Sequence, residues 1–235
     1  MDHRTLQRHF AALTTAHVAD ACLRARVPVR CAPALVHAVV PGSRLGGRVC
    51  PARHAGSVDA FLEAFETAAP GEVLVVDNGG LLDEACVGDL VALEAQAAGV
   101  EGMVIWGLHR DTDDIRAIGL PAFSLGAIPT GPLRLDARGH DSLESAVVGD
   151  WSVTRDDLVL GDDDGVLFVP SRQADEIFTL AETIRDTERR QAERIRAGVS
   201  LRSQVRFSDY LAKRGQTPAL SFREHLRAVG GAIEE

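Results

Sequence analysis

Asp89, Arg110, Asp111 and Glu188 are the residues of this chain whose types and spacing could do chemistry. Arg110-Asp111 follows the apolar run Met103-Val104-Ile105 in "GMVIWGLHRDTDD", with Asp113 and Asp114 close behind. The run reads as a buried strand, so the charged pair falls where a strand ends and a helix begins. That is the crevice side of an open α/β sheet. Twenty-one positions before Arg110, Gly88-Asp89 opens the preceding helix. A helix start exposes unpaired N–H groups and a partial positive charge, and a substrate carboxylate can settle there. Asp89 and Asp111 would then converge beside Arg110. An all-oxygen site of this kind suits Mg²⁺ or Mn²⁺ rather than zinc, and no His or Cys pair has zinc spacing. The same residues also read as two helix caps and a surface ion pair, and spacing alone does not choose.

Glu188 enters through helical geometry. On the long helix predicted over 172–197, Ile177, Ala181, Ile184 and Ile195 fall on one narrow stripe, and Glu188 lies about 20° from Ile177 on it. An acid on a buried face is costly unless it is paired or serves a metal or a proton. An arginine partner at a subunit contact is the other explanation. Lysine chemistry is nearly excluded, because the one lysine among 25 basic residues is Lys213, far along the tail. An imine mechanism needs a lysine in a pocket.

The elements that must position these residues alternate. "TTAHVADACLRAR" has helical spacing; Leu35–Val40 and Gly47–Cys50 look like short strands. "VDAFLEAFETAAPGE" is a helix stopped by Pro70-Gly71, "EVLVVDNGG" a buried strand, and "GDLVALEAQAAGV" a helix. "GMVIWG", "DDIRAIG" and "LPAFSLG" continue as strand, helix, strand. The order points to an α/β sheet with parallel strands. "DLVLGDDDGVLFVP" predicts a hairpin turning at Asp164-Gly165 rather than a calcium loop. After the long helix, residues 201–235 form an extension with one more expected helix, distinct from a 1–200 domain.

At 235 residues and 46% hydrophobic content the chain is long enough for a sizeable core. Net charge is −9, split as −12 over 1–181 and +3 over 182–235, and an acidic body disfavours nucleic acid as a partner. Cys22, Cys31, Cys50 and Cys86 are widely spaced and read as reduced core residues. No apolar run is long enough for a membrane span and "MDHRTLQRHF" lacks a signal core, so a cytoplasmic protein is expected.

Through "TTAHVADA", "GGRV", "PGEVLVVDNGG", "GDLVALEAQAAGVEGMVIWGLHRD", "LPAF" and "GDDDGVLFVP", residues 14–200 resemble the RraA-like family. That family comprises regulators of RNase E activity and class II 4-hydroxy-4-methyl-2-oxoglutarate aldolases. Its most specific element is Asp, twenty residues, then Arg-Asp: here Asp89 and Arg110-Asp111. The resemblance implies a three-layer, swivelling-type α/β domain with a mixed, partly parallel central sheet and a C-terminal helical extension. It implies that Asp111 anchors Mg²⁺ or Mn²⁺ mostly through water, with Asp89 behind it. Arg110 would hold the carboxylate and enolate oxygen of a small 2-oxo acid, helped by N–H groups across Gly88, Asp89, Leu90 and Val91. A glutamate from a neighbouring subunit, best matched by Glu188, would complete the site in a homotrimer or homohexamer.

The implied activity is carbon–carbon bond cleavage of a 2-oxo acid, by retro-aldol reaction to pyruvate or by oxaloacetate-type decarboxylation. Two alternatives stand beside it: a non-catalytic ribonuclease regulator acting through a surface, and a relative recruited to a biosynthetic pathway with an unrelated acid. Ile105-Trp106-Gly107 departs from the Val-Asp-Gly of many relatives, and a tryptophan near the pocket could resize it. His109 reads as a structural residue or as a proton carrier.

Overall fold

Short, nearly continuous apolar runs buried on both faces build the sheet on which everything else hangs. The computed structural model describes residues 1–230. In chain order the elements begin with α1 (His3–Ala11), α2 (Thr15–Arg24), β1 (Arg30–Cys31), β2 (His37–Ala38) and β3 (Leu45–Arg53). Then come α3 (Asp59–Thr67), β4 (Val73–Asp77), β5 (Ala85–Val87), α4 (Asp89–Ala97) and β6 (Gly102–Trp106). The chain continues with β7 (Leu108–His109), α5 (Thr112–Ile118), β8 (Ala122–Ser124), β9 (Ser145–Val148) and β10 (Trp151–Thr154). It ends in β11 (Asp157–Asp162), β12 (Gly165–Pro170), α6 (Ala174–Arg196), α7 (Leu201–Gln204), α8 (Phe207–Gln216) and α9 (Phe222–Val229).

The chain divides into two compact units: Met1–Ala16 with Val29–Asp175, and His17–Pro28 with the chain from Glu176 onward. In the first, an eight-stranded sheet has the order β1-β12-β11-β3-β4-β6-β8-β2. Strands β3, β4, β6 and β8 pair in parallel, with Val49 opposite Val73 and Leu74 opposite Met103. Antiparallel strands flank them: β11, β12 and β1 on one side, β2 on the other. The fold is thus α/β with a mixed, partly parallel central sheet.

Because side chains alternate across a strand, each strand feeds two cores. Cys50, Ala52, Leu74, Val76, Met103 and Ile105 face α3 and α4, packing on Phe61, Ala64, Ala92 and Ala95. Val49, Val73, Val75 and Val104 point the other way, into a core shared with Phe123, Phe168 and the β9–β10 hairpin residues Ala146, Val148 and Val153. The hairpin of β11 and β12 turns through Asp163-Asp164, with Asp162 paired to Gly165, one residue earlier than expected. Its acids hold the backbone: Asp162 accepts from Thr15 N–H and Oγ1 (2.8 and 2.6 Å), and Asp163 from Gly42 N–H (2.7 Å).

Two expectations about burial are corrected. Cys22, Cys50 and Cys86 are buried free thiols, but Cys31 is exposed, because it sits on the two-residue edge strand β1. On α6, Ile177, Ala181 and Ile184 are buried while Glu188 and Ile195 are exposed. The stripe is buried only along the first half of the helix; beyond Ile184 most side chains meet solvent, so Glu188 carries no burial cost. After α6 the structure has α7, α8 and α9 where one helix is expected. α7 buries no side chain, α8 only Tyr210 and α9 only His225 and Leu226, too few to give a readable period. Among the described residues no helix is long and apolar enough to cross a membrane.

Candidate active site

The parallel strands β4 and β6 end side by side, with Asp77 opposite Trp106, and the chain leaving each contributes to one crevice. Those two loops are tied by a second parallel pair, β5 with β7. The Arg110 N–H continues that pairing by donating to the Val87 carbonyl at 2.9 Å. Arg110 is thereby set against Gly88, where α4 begins.

Asp111 takes a left-handed backbone, φ 56° and ψ 42°, at the position that precedes α5. Aspartate is one of the few residues that tolerates this region. Its carboxylate makes no capping bond to α5; instead Oδ2 lies 3.2 Å from Arg110 Nε. At α4 the cap is Gly88, and Asp89 is the first helical residue. Neither acid is a side-chain cap, while Arg110 and Asp111 do form a part-exposed ion pair. Gly88 matters for its missing side chain: a Cβ there would stand 2.5 Å from Asp111 Oδ2 and 3.3 Å from Arg110 Nε.

Gly88, Asp89, Leu90, Val91 and Arg110 line one cavity of about 300 Å³, together with Val58, Leu62, Ala85 and Pro132. All five residues expected to hold the substrate therefore converge, and Asp111 lies against them through Arg110 and Gly88. The far wall is the loop after β8. Ala85 N–H donates to the Thr130 carbonyl (3.0 Å), and a Cβ on Gly131 would meet Arg110 Nη1 at 2.8 Å.

Sequence reasoning missed what holds that loop. Glu84, 1% exposed, accepts from Leu133 N–H at 2.7 Å and from Arg134 Nη1 at 2.5 Å. Burial alone pushes its carboxyl up, but the Leu133 N–H and the Arg134 guanidinium outweigh burial and hold it below the ordinary glutamate value. Arg134 also donates to Asn78 Oδ1 at 3.0 Å, and His54 Nδ1 lies 2.8 Å from the same oxygen. The only hint in the sequence is an acid directly before the apolar Ala85-Cys86-Val87. Arg134 sits in a loop where nothing marks it.

His109 is buried, with Nδ1 2.7 Å from Ser124 Oγ and Nε2 2.9 Å from Thr112 Oγ1. Burial pulls its pKa below the ordinary value despite the nearby Gly126 carbonyl. It ties β8 to the first turn of α5, a structural role. Trp106 packs on the core shared with the β9–β10 hairpin, its ring close under Gly80, and is not among the described residues lining the cavity.

The donor set suits a hard cation in type. Among the described residues no three His, Cys, Asp or Glu side chains gather as a metal cage. A Mg²⁺ or Mn²⁺ ion held mostly through water needs only one or two carboxylates. Asp111, partly exposed and engaged in no cap, fits that requirement, with Asp89 next to Gly88. Glu188 belongs to the second unit, where its Oε2 lies 3.2 Å from His17 Nε2. Lys213 is exposed on α8.

The family model described as RraA-like, Aldolase/RraA, matches residues 15–168. A Pseudomonas fluorescens protein named "Putative 4-hydroxy-4-methyl-2-oxoglutarate aldolase" is 35% identical over 147 residues, spanning 59% of this chain and 88% of its own length. A Pseudomonas aeruginosa protein of the same name is 34% identical over 146 residues, with the same coverage. Among solved structures, an "uncharacterized protein" of Pseudomonas syringae pv. tomato superposes with a TM-score of 0.74 at 26% identity, over 84% of this chain and 95% of that one. Streptomyces coelicolor RraAS2, described as an unusual member of the RNase ES inhibitor RraA protein family, gives 0.69 at 25%, over 79% and 94%.

Proposed function

The chain belongs to the RraA-like family, and on that premise we propose that it is a divalent-metal-dependent lyase acting on a small 2-oxo acid. The reaction is retro-aldol cleavage of a 4-hydroxy-2-oxo acid to pyruvate, or the related loss of carbon dioxide from an oxaloacetate-like acid. One observation carries the reading: Asp111 declines its helix cap and pairs at 3.2 Å with Arg110, which lines a cavity walled by the start of α4.

In this reading the Arg110 guanidinium binds the substrate carboxylate and the 2-oxo oxygen, a two-point grip matched to its planar fork. The N–H groups at the start of α4 add partial positive charge beside the same oxygens. Mg²⁺ or Mn²⁺ held at Asp111 would supply a Lewis acid that polarises the 2-oxo group. Asp89 orients the water that removes the 4-hydroxyl proton. The C3–C4 bond then breaks, its electrons pass to the pyruvyl half as an enolate, and Arg110 holds the charged oxygen until the same water returns the proton to C3. Glu188 of a neighbouring copy completes the site, in a homotrimer or homohexamer.

The Streptomyces neighbour's description supports a second reading, a non-catalytic inhibitor of a ribonuclease. A surface inhibitor has no need of an Asp111 that leaves its cap and pairs with Arg110 in the space that Gly88 leaves open. Pyruvate release from 4-hydroxy-2-oxo acids and from oxaloacetate, with Mg²⁺, with Mn²⁺ and with chelator, tests the choice. Metal-dependent release is expected, and its absence across the panel would leave the inhibitor reading.

A further inference from the structure

We infer that His109 is a positioning residue: through Thr112 it holds the backbone turn that keeps the Asp111 carboxylate out of the α5 cap and against Arg110. The inference rests on the lyase reading for what Asp111 does, and on the geometry of the turn alone for how Asp111 is held. An aspartate before a helix ordinarily takes an extended backbone and accepts from the N–H groups two or three residues on. Asp111 has φ 56° and ψ 42° instead, and its carboxylate makes no capping bond but meets Arg110 Nε. The backbone at this position therefore decides whether the carboxylate serves the helix or the crevice. A left-handed backbone is costly away from glycine and persists only where its surroundings fix it.

What fixes it stands on either side of residue 111. On one side the Arg110 N–H donates to the Val87 carbonyl at 2.9 Å. On the other, His109 Nε2 lies 2.9 Å from Thr112 Oγ1, a bond that spans residues 110 and 111 and closes the turn into a ring. The imidazole is anchored at its other edge, where Nδ1 lies 2.7 Å from the Oγ of Ser124, the last residue of β8 and 1% exposed. The His109 N–H donates to the Gly126 carbonyl, and its own carbonyl accepts from the Ile128 N–H, both at 3.0 Å. A neutral imidazole donates at one nitrogen and accepts at the other, and a hydroxyl does either, so the chain Ser124–His109–Thr112 is satisfied at both ring nitrogens. Asp113 and Asp114 lie in the first turn of α5, where negative charge is favoured, so the helix starts without a capping side chain. A carboxylate released in this way for a cation depends on the groups that orient it, and losing such groups costs about 10- to 100-fold in metal affinity or activity.

The test uses two substitutions at a half-buried position: Thr112→Val keeps the side-chain shape and removes the hydroxyl, while Thr112→Ser keeps the hydroxyl. In a crystal structure of Thr112→Val the Asp111 carboxylate is expected to leave Arg110 and accept from the N–H of Asp113 or Asp114. In Thr112→Ser it should stay where it is. Mn²⁺ affinity, titrated by electron paramagnetic resonance without substrate, should fall about tenfold or more in Thr112→Val and stay within about twofold of the parent in Thr112→Ser. His109→Gln should weaken Mn²⁺ about as much as Thr112→Val, and the two together no more than either alone, because both break one bond. A tie that merely stabilises the fold would lower the melting temperature and leave Mn²⁺ affinity alone, and that result would overturn the inference. So would an Asp111 carboxylate still on Arg110 in Thr112→Val, whatever the metal and the kinetics show. A displaced carboxylate and weakened Mn²⁺, with no pyruvate from any 4-hydroxy-2-oxo acid in the parent, would sink the lyase reading and leave His109 as the residue that positions Asp111.

Discussion

Asp111 holds its carboxylate against Arg110 because position 88 has no side chain: a Cβ on Gly88 would lie 2.5 Å from Asp111 Oδ2. The backbone at Gly88, φ −132°, is extended and open to any residue, so the constraint is space and not strain. Gly88→Ala should therefore fold with a melting temperature near the parent's, yet displace the carboxylate. A misplacement of about 1 Å can cost on the order of 100-fold in turnover. Undiminished pyruvate release from a well-folded Gly88→Ala would separate Asp111 from the chemistry.

Arg110→Lys keeps the charge and loses the fork. Lysine cannot present two parallel donors to a carboxylate, so kcat/KM should fall on the order of 100-fold while the fold persists. Arg110 is half exposed, with Asp111 as its ion-pair partner, and contributes little to stability. Near-parental kinetics in this variant would place the substrate carboxylate elsewhere.

Much of this architecture was legible in the sequence, and the gaps have physical causes. β4, β6 and α4 announce themselves because both faces of the strands are buried and the helix begins at a glycine and an acid. Gly88, Asp89 and Arg110 were visible as residues at strand-to-helix junctions. Strands β5 and β7 were not, since three and two residues carry no period; they exist because the two loops pair with each other. Glu84 and Arg134 were hidden for a related reason: their partners lie 49 and more positions away, and only the fold brings them together. Glu188 shows the opposite failure. Its periodicity is real, but period says which side chains share a face, not how far along the helix that face is covered.

Glu84 is a stability residue with a reach into the site. Glu84→Ala removes a buried acceptor from both the Leu133 N–H and the Arg134 guanidinium, a class of change that costs on the order of 3 kcal/mol. The loop it anchors carries Gly131, against Arg110, and Pro132, in the cavity wall. Chemical denaturation should show the loss of stability. Substrate KM should also rise in the fraction that remains folded, and an unchanged KM would confine Glu84 to a purely stabilising part.

Acid should weaken the fold through two histidines. His54 and His109 are both held below their ordinary value of 6.5, chiefly by burial. Below pH 6.5 the unfolded chain takes up protons that these folded side chains refuse, so unfolding becomes easier as pH falls and stability is full above that point. The limiting slope is about 1.4 kcal/mol per pH unit for each histidine. Denaturant midpoints at pH 8.0 and 5.5 measure it, and His109→Gln should flatten the dependence. A midpoint that does not move between those pH values would show that both rings protonate freely in the native state.

Glu188 gives the sharpest test of how the site is assembled. Its carboxylate is half exposed on α6 and pairs with His17 at 3.2 Å, so its replacement by glutamine should cost less than about 1 kcal/mol. Any large effect on turnover must then come from somewhere other than stability. If Glu188 acts on the crevice of a neighbouring copy, Glu188→Gln keeps the oligomer and depresses kcat. Asp111→Ala is inactive for a different reason, having lost the carboxylate beside Arg110 on its own crevice. Co-assembled, the two inactive chains should recover part of the activity, because some interfaces join an intact crevice from the Glu188→Gln chain to an intact Glu188 from the Asp111→Ala chain. The measurement is pyruvate release from mixed oligomers whose composition is verified by native mass spectrometry. A site built within one chain could never be complemented in this way, since every chain in the mixture lacks one of its parts. Silent mixed oligomers would therefore withdraw Glu188 from the reaction and leave its pairing with His17 as its whole role.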